Sequence, residues 1–429
     1  METVNRRPVN SRPSSVASAH TIRSAAPLLV AMTLLMVGSG LLGTTLGIRA
    51  SLEGFATTVI GLVMSSYYVG FLAGCVVAPP VLSRFGHVNL FVALAALAAV
   101  TAALYPSLTT PVVWGLIRLV TGLATAGLYV VAESWLASTG DPAARGRLLA
   151  IYLLVVNAGY GIGQFLLGVA SPSGPILFLL AAALLLSAAA PLMKLRGSSP
   201  ARISHGHLPV REVLKQAPLG PATSFVSGLG VGAILGIGAA YATQVGMPVP
   251  RVGLFVGVAM VGGIVLQWPI GWASDHLNRR HVIIASSILG GICCLSAMGA
   301  DPLSVWPLLA MFGFTAFSFP LYSLAISHVN DALEAEKVVA ATAVLLGAYG
   351  SGTLLGPFLT SLAMEQMGPS GFWLIAGVSH VILGVYGLYR LVKRRRLLEE
   401  HHLPPLPIGT SPQSALLIEN TMEMPITPR

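Results

Sequence analysis

Charged residues are scarce in this sequence. Of its 429 residues, 9% are charged and 55% are hydrophobic, whereas an ordinary soluble domain has roughly 25% charged residues. A soluble fold cannot cover its surface with so few charges, because apolar patches of that extent would aggregate. A disordered chain is excluded as well, because such chains are poor in aliphatic residues. The composition leaves the class of polytopic membrane proteins.

Cysteine and nucleotide-binding motifs are scarce too. The three cysteines, Cys75, Cys293 and Cys294, lie inside apolar runs, so we expect neither a disulfide framework nor a metal site. The glycine-rich stretches at 228–232 and 350–356 also lie within apolar runs, where small residues let helices approach each other. The sequence contains no ATP-binding loop. We therefore expect no cofactor, no metal and no nucleic-acid partner.

Long apolar runs are what the sequence has in abundance. A helix needs about 20 apolar residues to cross the hydrocarbon core of a bilayer, and twelve runs reach that length. They predict an all-α integral membrane protein with two groups of six helices. The runs cover residues 26–48, 55–80, 88–105, 112–135, 149–170, 175–195, 218–243, 251–273, 281–299, 304–327, 338–363 and 371–392.

A polar stretch rich in proline, glycine and serine separates the two groups of helices. It predicts two six-helix bundles, residues 26–195 and 218–392, joined by a cytoplasmic central loop at 196–217. Cytoplasmic tails are expected at residues 1–25 and 393–429, and we expect the second tail to be disordered.

The basic residues predict the orientation in the membrane, because cytoplasmic loops carry an excess of Lys and Arg. With the N-terminus inside the cell, 21 of the 24 Lys and Arg residues lie on the cytoplasmic side, Arg49 and Arg251 lie outside, and Arg118 lies within a span. Both termini are therefore expected in the cytoplasm. We expect a multi-pass protein of the plasma membrane, which in bacteria is the inner membrane.

The two halves of the chain resemble each other at an offset of 192–193 residues. In the fifth and eleventh runs, Gly159 and Gly163 match Gly352 and Gly356, and the loop at 83–87 aligns with the loop at 275–279. Six plus six helices with repeated halves are typical of a transporter whose solute site lies near the membrane midplane.

Short motifs within about residues 26–392 resemble those of a known family. Residues 271–280, GWASDHLNRR, resemble the loop motif GxLaDrxGrr of the major facilitator superfamily, and Arg118 with Gly122 resembles its fourth-helix signature. More narrowly, residues 267–271 (QWPIG), 133–136 (ESWL) and 319–324 (FPLYSL) resemble the YcaD-like branch. The resemblance implies the major facilitator fold, with helices 1, 4, 7 and 10 lining the cavity.

Arg118 is the first candidate for a solute contact. A charge inside a span costs about 2.5–3.5 kcal/mol on insertion scales, so it normally faces a cavity or a partner. No carboxylate lies one or two helical turns away along the fourth span. Arg118 is therefore predicted to contact an anion or a coupling proton site; the alternatives are snorkelling to the outer interface and a structural bond to backbone carbonyls.

Other polar residues of the spans are candidate cavity contacts, although each could instead serve in packing or interhelical hydrogen bonds. They are Asn157, Tyr160, Gln164, Gln267, Tyr322 and Tyr349. His380, in the middle of the twelfth run, is expected to bond a neighbouring helix rather than to relay protons.

A second set of residues is predicted to control conformation. Glu133 lies near the cytoplasmic face, where we expect it to pair with Arg84, Arg145 or Arg147, as a latch or as a static ion pair. The family resemblance implies a conformational role for the segment Gly271, Asp275, Arg279 and Arg280, whose carboxylate and arginines could bridge the eighth helix to the eleventh.

These patterns predict a secondary active or facilitative transporter that moves a small solute by alternating access, and not an enzyme. Its expected partners are the lipid bilayer, a small solute and protons as a coupling ion. Arg118 would suit an anionic solute. We expect a monomer. An efflux-type proton antiporter is the alternative. A receptor or scaffold without transport is the alternative from another class.

Overall fold

A computed structural model describes residues 15–137, 142–193, 213–214, 216–333 and 337–400. In these ranges the chain forms α-helices and short 3-10 helices, and no strand. The all-α prediction is confirmed. Most of both predicted tails and of the central loop lies outside the described residues, as does the side chain of each of Arg145 and Arg147.

In the described part of the first half, seven α-helices have defined bounds. They are α1 (Ser15–Leu52), α2 (Thr57–Phe85), α3 (His87–Leu104), α4 (Pro111–Ala137), α5 (Pro142–Phe165), α6 (Ile176–Ser187) and α7 (Ala190–Met193). Single 3-10 turns follow α3 at Tyr105–Ser107 and α5 at Leu166–Val169. Helix α1 begins within the predicted N-terminal tail.

In the described part of the second half, eight α-helices have defined bounds. They are α8 (Leu219–Gln244), α9 (Val249–Val265), α10 (Gln267–His276), α11 (Arg279–Leu295), α12 (Trp306–Ser318), α13 (Pro320–Asn330), α14 (Val338–Met367) and α15 (Gly371–Glu400). Helix α15 continues beyond residue 392, so the beginning of the tail that we expected to be disordered is helical.

Each of the twelve predicted spans coincides with a helix or with two consecutive helices. Within the described ranges, eleven are long and apolar enough to cross a membrane. The remaining span is α11, which has 17 residues and is therefore about 25 Å long at 1.5 Å per residue.

Two predicted spans of the second half are each divided by a break beside a proline. Pro320 begins α13 directly after α12, and Pro269 lies in the first turn of α10, which follows Leu266. Proline lacks the N–H that the helix interior needs and its ring clashes with the preceding turn. The sequence contained both prolines, but the apolar pattern alone predicted continuous helices at 251–273 and 304–327.

The helices form two compact units, which we describe separately. The first contains residues 1–53 and 66–203, and the second contains residues 54–65 and 204–429. Residues 54–65, which we expected in the first bundle, thus group with the second unit. There the Ser65 hydroxyl donates to the Leu354 carbonyl (2.8 Å), and the Thr58 N–H donates to Glu365 (3.1 Å).

In the first unit α1 packs closely against α5, and in the second α8 packs closely against α14. Glycine makes this possible, since a Cβ at Gly163 would clash with the Val37 carbonyl and a Cβ at Gly356 with the Leu229 carbonyl. We call these two contacts the glycine seams. Small residues of this kind let helix backbones approach closely in membranes.

Candidate functional site

The Arg118 side chain is buried in the first unit, with 6% of its surface exposed. Its guanidinium carbon lies 4.6 Å from the centre of the Tyr67 ring on α2, which is a cation–π contact. This contact joins the start of α4 to α2.

The end of α3 and the start of α4 fix the position of these groups. Trp114, in the first turns of α4, donates from its indole N–H to the Tyr105 carbonyl (3.3 Å), and the two rings pack edge to face at 5.5 Å. Both residues are fully buried, and the buried Tyr105 hydroxyl has no hydrogen-bond partner in the described part of the chain. Arg118 lies one turn after Trp114, so this packing holds the start of its helix.

A row of aromatic side chains continues from Arg118. Tyr67 and Phe71 lie one turn apart on α2 with ring centres 6.2 Å apart, and Phe71 packs edge to face on Tyr129 of α4 at 5.9 Å. The Tyr129 hydroxyl donates to Sδ of Met36 on α1 (3.1 Å). We call Tyr67, Phe71 and Tyr129 the aromatic row. All three rings are half-buried, so each keeps an accessible surface.

Glu133 lies at the other end of this row, one turn after Tyr129. Its side chain is exposed, and it neighbours the Tyr152 hydroxyl of α5. Of its three expected partners, Arg84 lies over the Phe85 ring at 5.7 Å, and the side chains of Arg145 and Arg147 lie outside the described residues.

The three candidates on α5 differ in what they contact. Gln164 is 3% exposed and joins α5 to α1: its carbonyl accepts from the Thr44 hydroxyl (2.6 Å), and its amide donates to the Gly40 carbonyl (3.2 Å). Asn157 is half-buried and donates to the carbonyl one turn before it (2.8 Å). Tyr160 packs against α1, where its hydroxyl would meet a Cβ at Gly43.

The candidates in the second unit form one pair and one isolated residue. The rings of Tyr322 on α13 and Tyr349 on α14 lie 4.7 Å apart, and both are half-buried. Gln267 is exposed at the first residue of α10, where the break in the eighth span ends.

The conformational segment is built around Arg279. Its Nε lies 3.0 Å from Asp331, after the end of α13, and a terminal nitrogen lies 3.5 Å from Asp275 on α10. The arginine side chain is 21% exposed, whereas Asp275 is 70% and Asp331 58% exposed. Arg279 therefore connects the end of the eighth span to the end of the tenth, and the expected bridge to the eleventh span stays a prediction.

The neighbouring residues of this segment shape its backbone. Asn278 accepts a hydrogen bond from the Arg280 N–H (3.1 Å), which caps the start of α11. Nothing lies within 4 Å of the position of a Cβ at Gly271, so this glycine is not needed for close packing here.

His380 is fully buried and bonds to a neighbouring helix, as expected. Its Nε2 lies 2.8 Å from the Ser318 hydroxyl at the end of α12, and its Nδ1 lies 2.7 Å from the Ala376 carbonyl. Among the residues that the structure describes, no group of three or more His, Cys, Asp or Glu side chains could hold a metal ion.

Sequence reasoning missed the aromatic row and Asp331. Part of the signal was available, since Tyr129 lies eleven residues, about three turns, after Arg118 and therefore on the same face of α4. Tyr67 and Phe71 have one-turn spacing on α2. That α2 presents these rings to α4 depends on the packing of the two helices, which a single sequence does not reveal.

The multi-helix fold, its two halves and a polar site inside the first unit define a class of membrane protein that moves solutes. The chain belongs to the major facilitator superfamily, whose model matches residues 28–221 and again 222–419. It is 30% identical over 362 residues to the MFS-type transporter YcaD of Escherichia coli, covering 83% of this chain and 93% of that one. A Yersinia enterocolitica MFS-type transporter is 31% identical over 365 residues, with the same coverage.

Solved structures agree with this fold. The nucleoside transporter NupG aligns with a TM-score of 0.69 at 16% identity, covering 85% of this chain and 97% of that one. A bacterial homologue of the human lysosomal transporter Spinster, inward-facing and unoccupied, aligns with a TM-score of 0.62 at 15% identity, covering 88% and 96%. The protein is a multi-pass membrane transporter and not an enzyme.

Proposed function

We propose that this transporter moves a small anionic solute by alternating access, with Arg118 as the charged contact for the solute. The observation that carries the proposal is a buried guanidinium held over the Tyr67 ring at 4.6 Å. A buried charge in a span is costly, so it is normally retained for a function. The planar guanidinium matches a carboxylate or phosphate in a two-point hydrogen bond.

The aromatic row supports an organic solute. Tyr67, Phe71 and Tyr129 are half-buried and lie in sequence beyond the guanidinium. Binding sites for small molecules commonly combine apolar and aromatic walls with a few polar groups that fix orientation. An anionic head at Arg118 with an apolar body along the row fits this arrangement.

Glu133 supports proton coupling as a second part of the proposal. It is a carboxyl group in the first unit at the far end of the row from Arg118, beside Tyr152. With a pH-sensitive dye inside proteoliposomes, we expect solute to drive proton flux in the wild type. Glu133→Gln should abolish that flux while solute exchange continues; flux of wild-type size in the variant would refute a coupling role.

A panel of paired solutes tests the charge preference. The thermal unfolding midpoint of the purified protein would be measured with pyruvate, succinate, benzoate and phosphoglycerate. Each anion is compared with its neutral amide or alcohol, and uridine is added as a neutral nucleoside. We expect at least one anion to raise the thermal midpoint while its neutral analogue does not. Shifts from neutral compounds alone, uridine included, would contradict the proposal.

We further propose that both termini face the cytoplasm of a bacterial inner membrane, on the basis of the basic residues. A single cysteine replacing Ser198, in a chain without the three native cysteines, should resist an impermeant thiol reagent in intact cells and react after permeabilisation. A cysteine replacing Leu52, at the end of α1 and 57% exposed, is the matched control that should react from outside. The reverse labelling would overturn the orientation.

A further inference from the structure

The second unit contains a cavity that the solute site does not use. Its volume is about 490 Å³, and it lies where α8 begins and where α13 and α15 come together. Three cationic side chains line it, Arg280 of α11 with Arg390 and Lys393 of α15. A cavity with three cations in so weakly charged a chain is unusual, since only 24 of the 429 residues are Lys or Arg.

The other polar residues that line the cavity in the described part of the chain are Asp331, His328 and Gln216. The Oδ2 of Asp331 lies 3.0 Å from Nε of Arg279. The cavity also contains Leu219, the first residue of the 26-residue helix α8. The N-terminal end of a helix carries partial positive charge and favours an anion. His328, 6% exposed, completes the polar wall.

An exposed apolar face of α15 reaches the level of this cavity. Exposed apolar side chains recur there at spacings of three and four residues, which places them on one face of the helix: Ile382, Val385, Tyr389 and Val392. The row of side chains ends where Arg390 and Lys393 line the cavity. A tyrosine at this level is typical of the zone between lipid headgroups and acyl chains.

We propose that this cavity binds a phosphate-bearing ligand, and that the apolar face of α15 favours the headgroup of an anionic phospholipid as its source. Basic pockets between transmembrane helices on the cytoplasmic side recognise such headgroups, and the cavity lies on that side in the orientation proposed above. The acyl chains would follow the exposed face of α15. Free inorganic phosphate carries the same phosphate group and is the other candidate ligand of the cavity. The site is separate from Arg118 and does not depend on the identity of the solute.

Native mass spectrometry of the full chain in a neutral detergent tests this. The probes are dioleoylphosphatidylglycerol, dioleoylphosphatidylcholine and inorganic phosphate. We expect one phosphatidylglycerol to bind at least about tenfold more tightly than phosphatidylcholine. Each juxtamembrane cation contributes roughly a fivefold factor in affinity for anionic lipid, so Arg390→Gln with Lys393→Gln should weaken phosphatidylglycerol binding about 25-fold.

Arg84→Gln is the matched control, because Arg84 is also an exposed arginine in the last turn of a helix but does not line the cavity. Lys393→Gln alone, expected to weaken binding about fivefold, serves if the double variant does not fold. In a further outcome, the wild type binds inorganic phosphate, the double variant does not, and the two lipids bind equally. That outcome would assign the same site to a soluble phosphate. Equal binding of both lipids with no phosphate binding, or equal losses in Arg84→Gln, would overturn the site.

Discussion

The two units share a packing scheme and differ in where they hold their charges. In the first unit Gly159 and Gly163 bring α5 onto α1, and in the second Gly352 and Gly356 bring α14 onto α8. These glycines match at the same offset of 193 residues. The internal repeat predicted from sequence is therefore a repeat of close backbone contacts.

The charges do not follow the repeat. At the same offset, Arg118 matches Met311, which is fully buried, and Glu133 matches Ile326. The second unit instead has Arg279 between two exposed carboxylates at helix ends. The comparison teaches that the packing scheme is common to both units, whereas the ionisable groups Arg118 and Glu133 of the fourth span are specific to the first.

The strongest test of the shared packing is a single added methyl group in each glycine seam. A Cβ at Gly163 or at Gly356 would meet a backbone carbonyl of the facing helix, which cannot move aside as a flexible side chain can. Overpacking of this kind costs about 1–3 kcal/mol. We expect Gly163→Ala and Gly356→Ala to lower the thermal midpoint in detergent by several degrees.

Gly347→Ala is the matched control, because Gly347 lies on the same helix α14 with nothing within 4 Å of an added Cβ. Alanine favours helix over glycine by up to about 1 kcal/mol, so this variant should be as stable as the wild type or slightly more so. A loss in the control equal to that in Gly356→Ala would mean that the seam is not the cause.

Gln164 tests a hydrogen-bonding difference between the two units, because the matching residue of the second unit is Pro357, which has no side-chain amide. Gln164→Leu removes the partner of the Thr44 hydroxyl and one donor to the Gly40 carbonyl. Buried groups left without a partner cost about 1–3 kcal/mol, which should appear as a lower midpoint. The control is Gln244→Leu, at an exposed glutamine that ends α8 and donates to the Thr57 hydroxyl (3.1 Å), where water can replace the lost hydrogen bond and we expect a change below about 0.5 kcal/mol. Equal effects would show that Gln164 does not join the two helices.

Arg279 should give the smallest change in stability and a local change in dynamics. Its partners are more than half exposed, and exposed ion pairs contribute about 0–1 kcal/mol. Arg279→Gln removes both pairs and Asp275→Asn only the longer one, so hydrogen exchange at residues 328–333 should accelerate more in the first variant. Arg49→Gln, which breaks a pair within one helix turn, should leave those residues unchanged. Faster exchange in Asp275→Asn than in Arg279→Gln would contradict the central role of Arg279.

Hydropathy and motif spacing predicted the helices and the family, because a bilayer imposes length and apolarity on every span. The same information could not predict the breaks at Leu266 and Phe319, since a proline inside an apolar run is compatible with a kinked helix as well as with a division. It identified Arg118 from the cost of its charge. It could not identify Tyr67 as the ring that contacts the Arg118 charge, or Asp331 as the partner of Arg279. Both contacts join different helices, and a single sequence does not show how helices pack against each other.

The most direct test of the central claim is the affinity of purified Arg118 variants for the anion that the solute panel identifies, measured by calorimetry. Arg118→Lys keeps the charge but loses the planar two-point contact, so it should weaken binding nearly as much as Arg118→Gln does. A buried charge pair predicts losses of about 2–5 kcal/mol in both, while Arg49→Lys, a control in the same unit, binds normally. Unchanged affinity in both Arg118 variants would contradict the claim that Arg118 binds the solute.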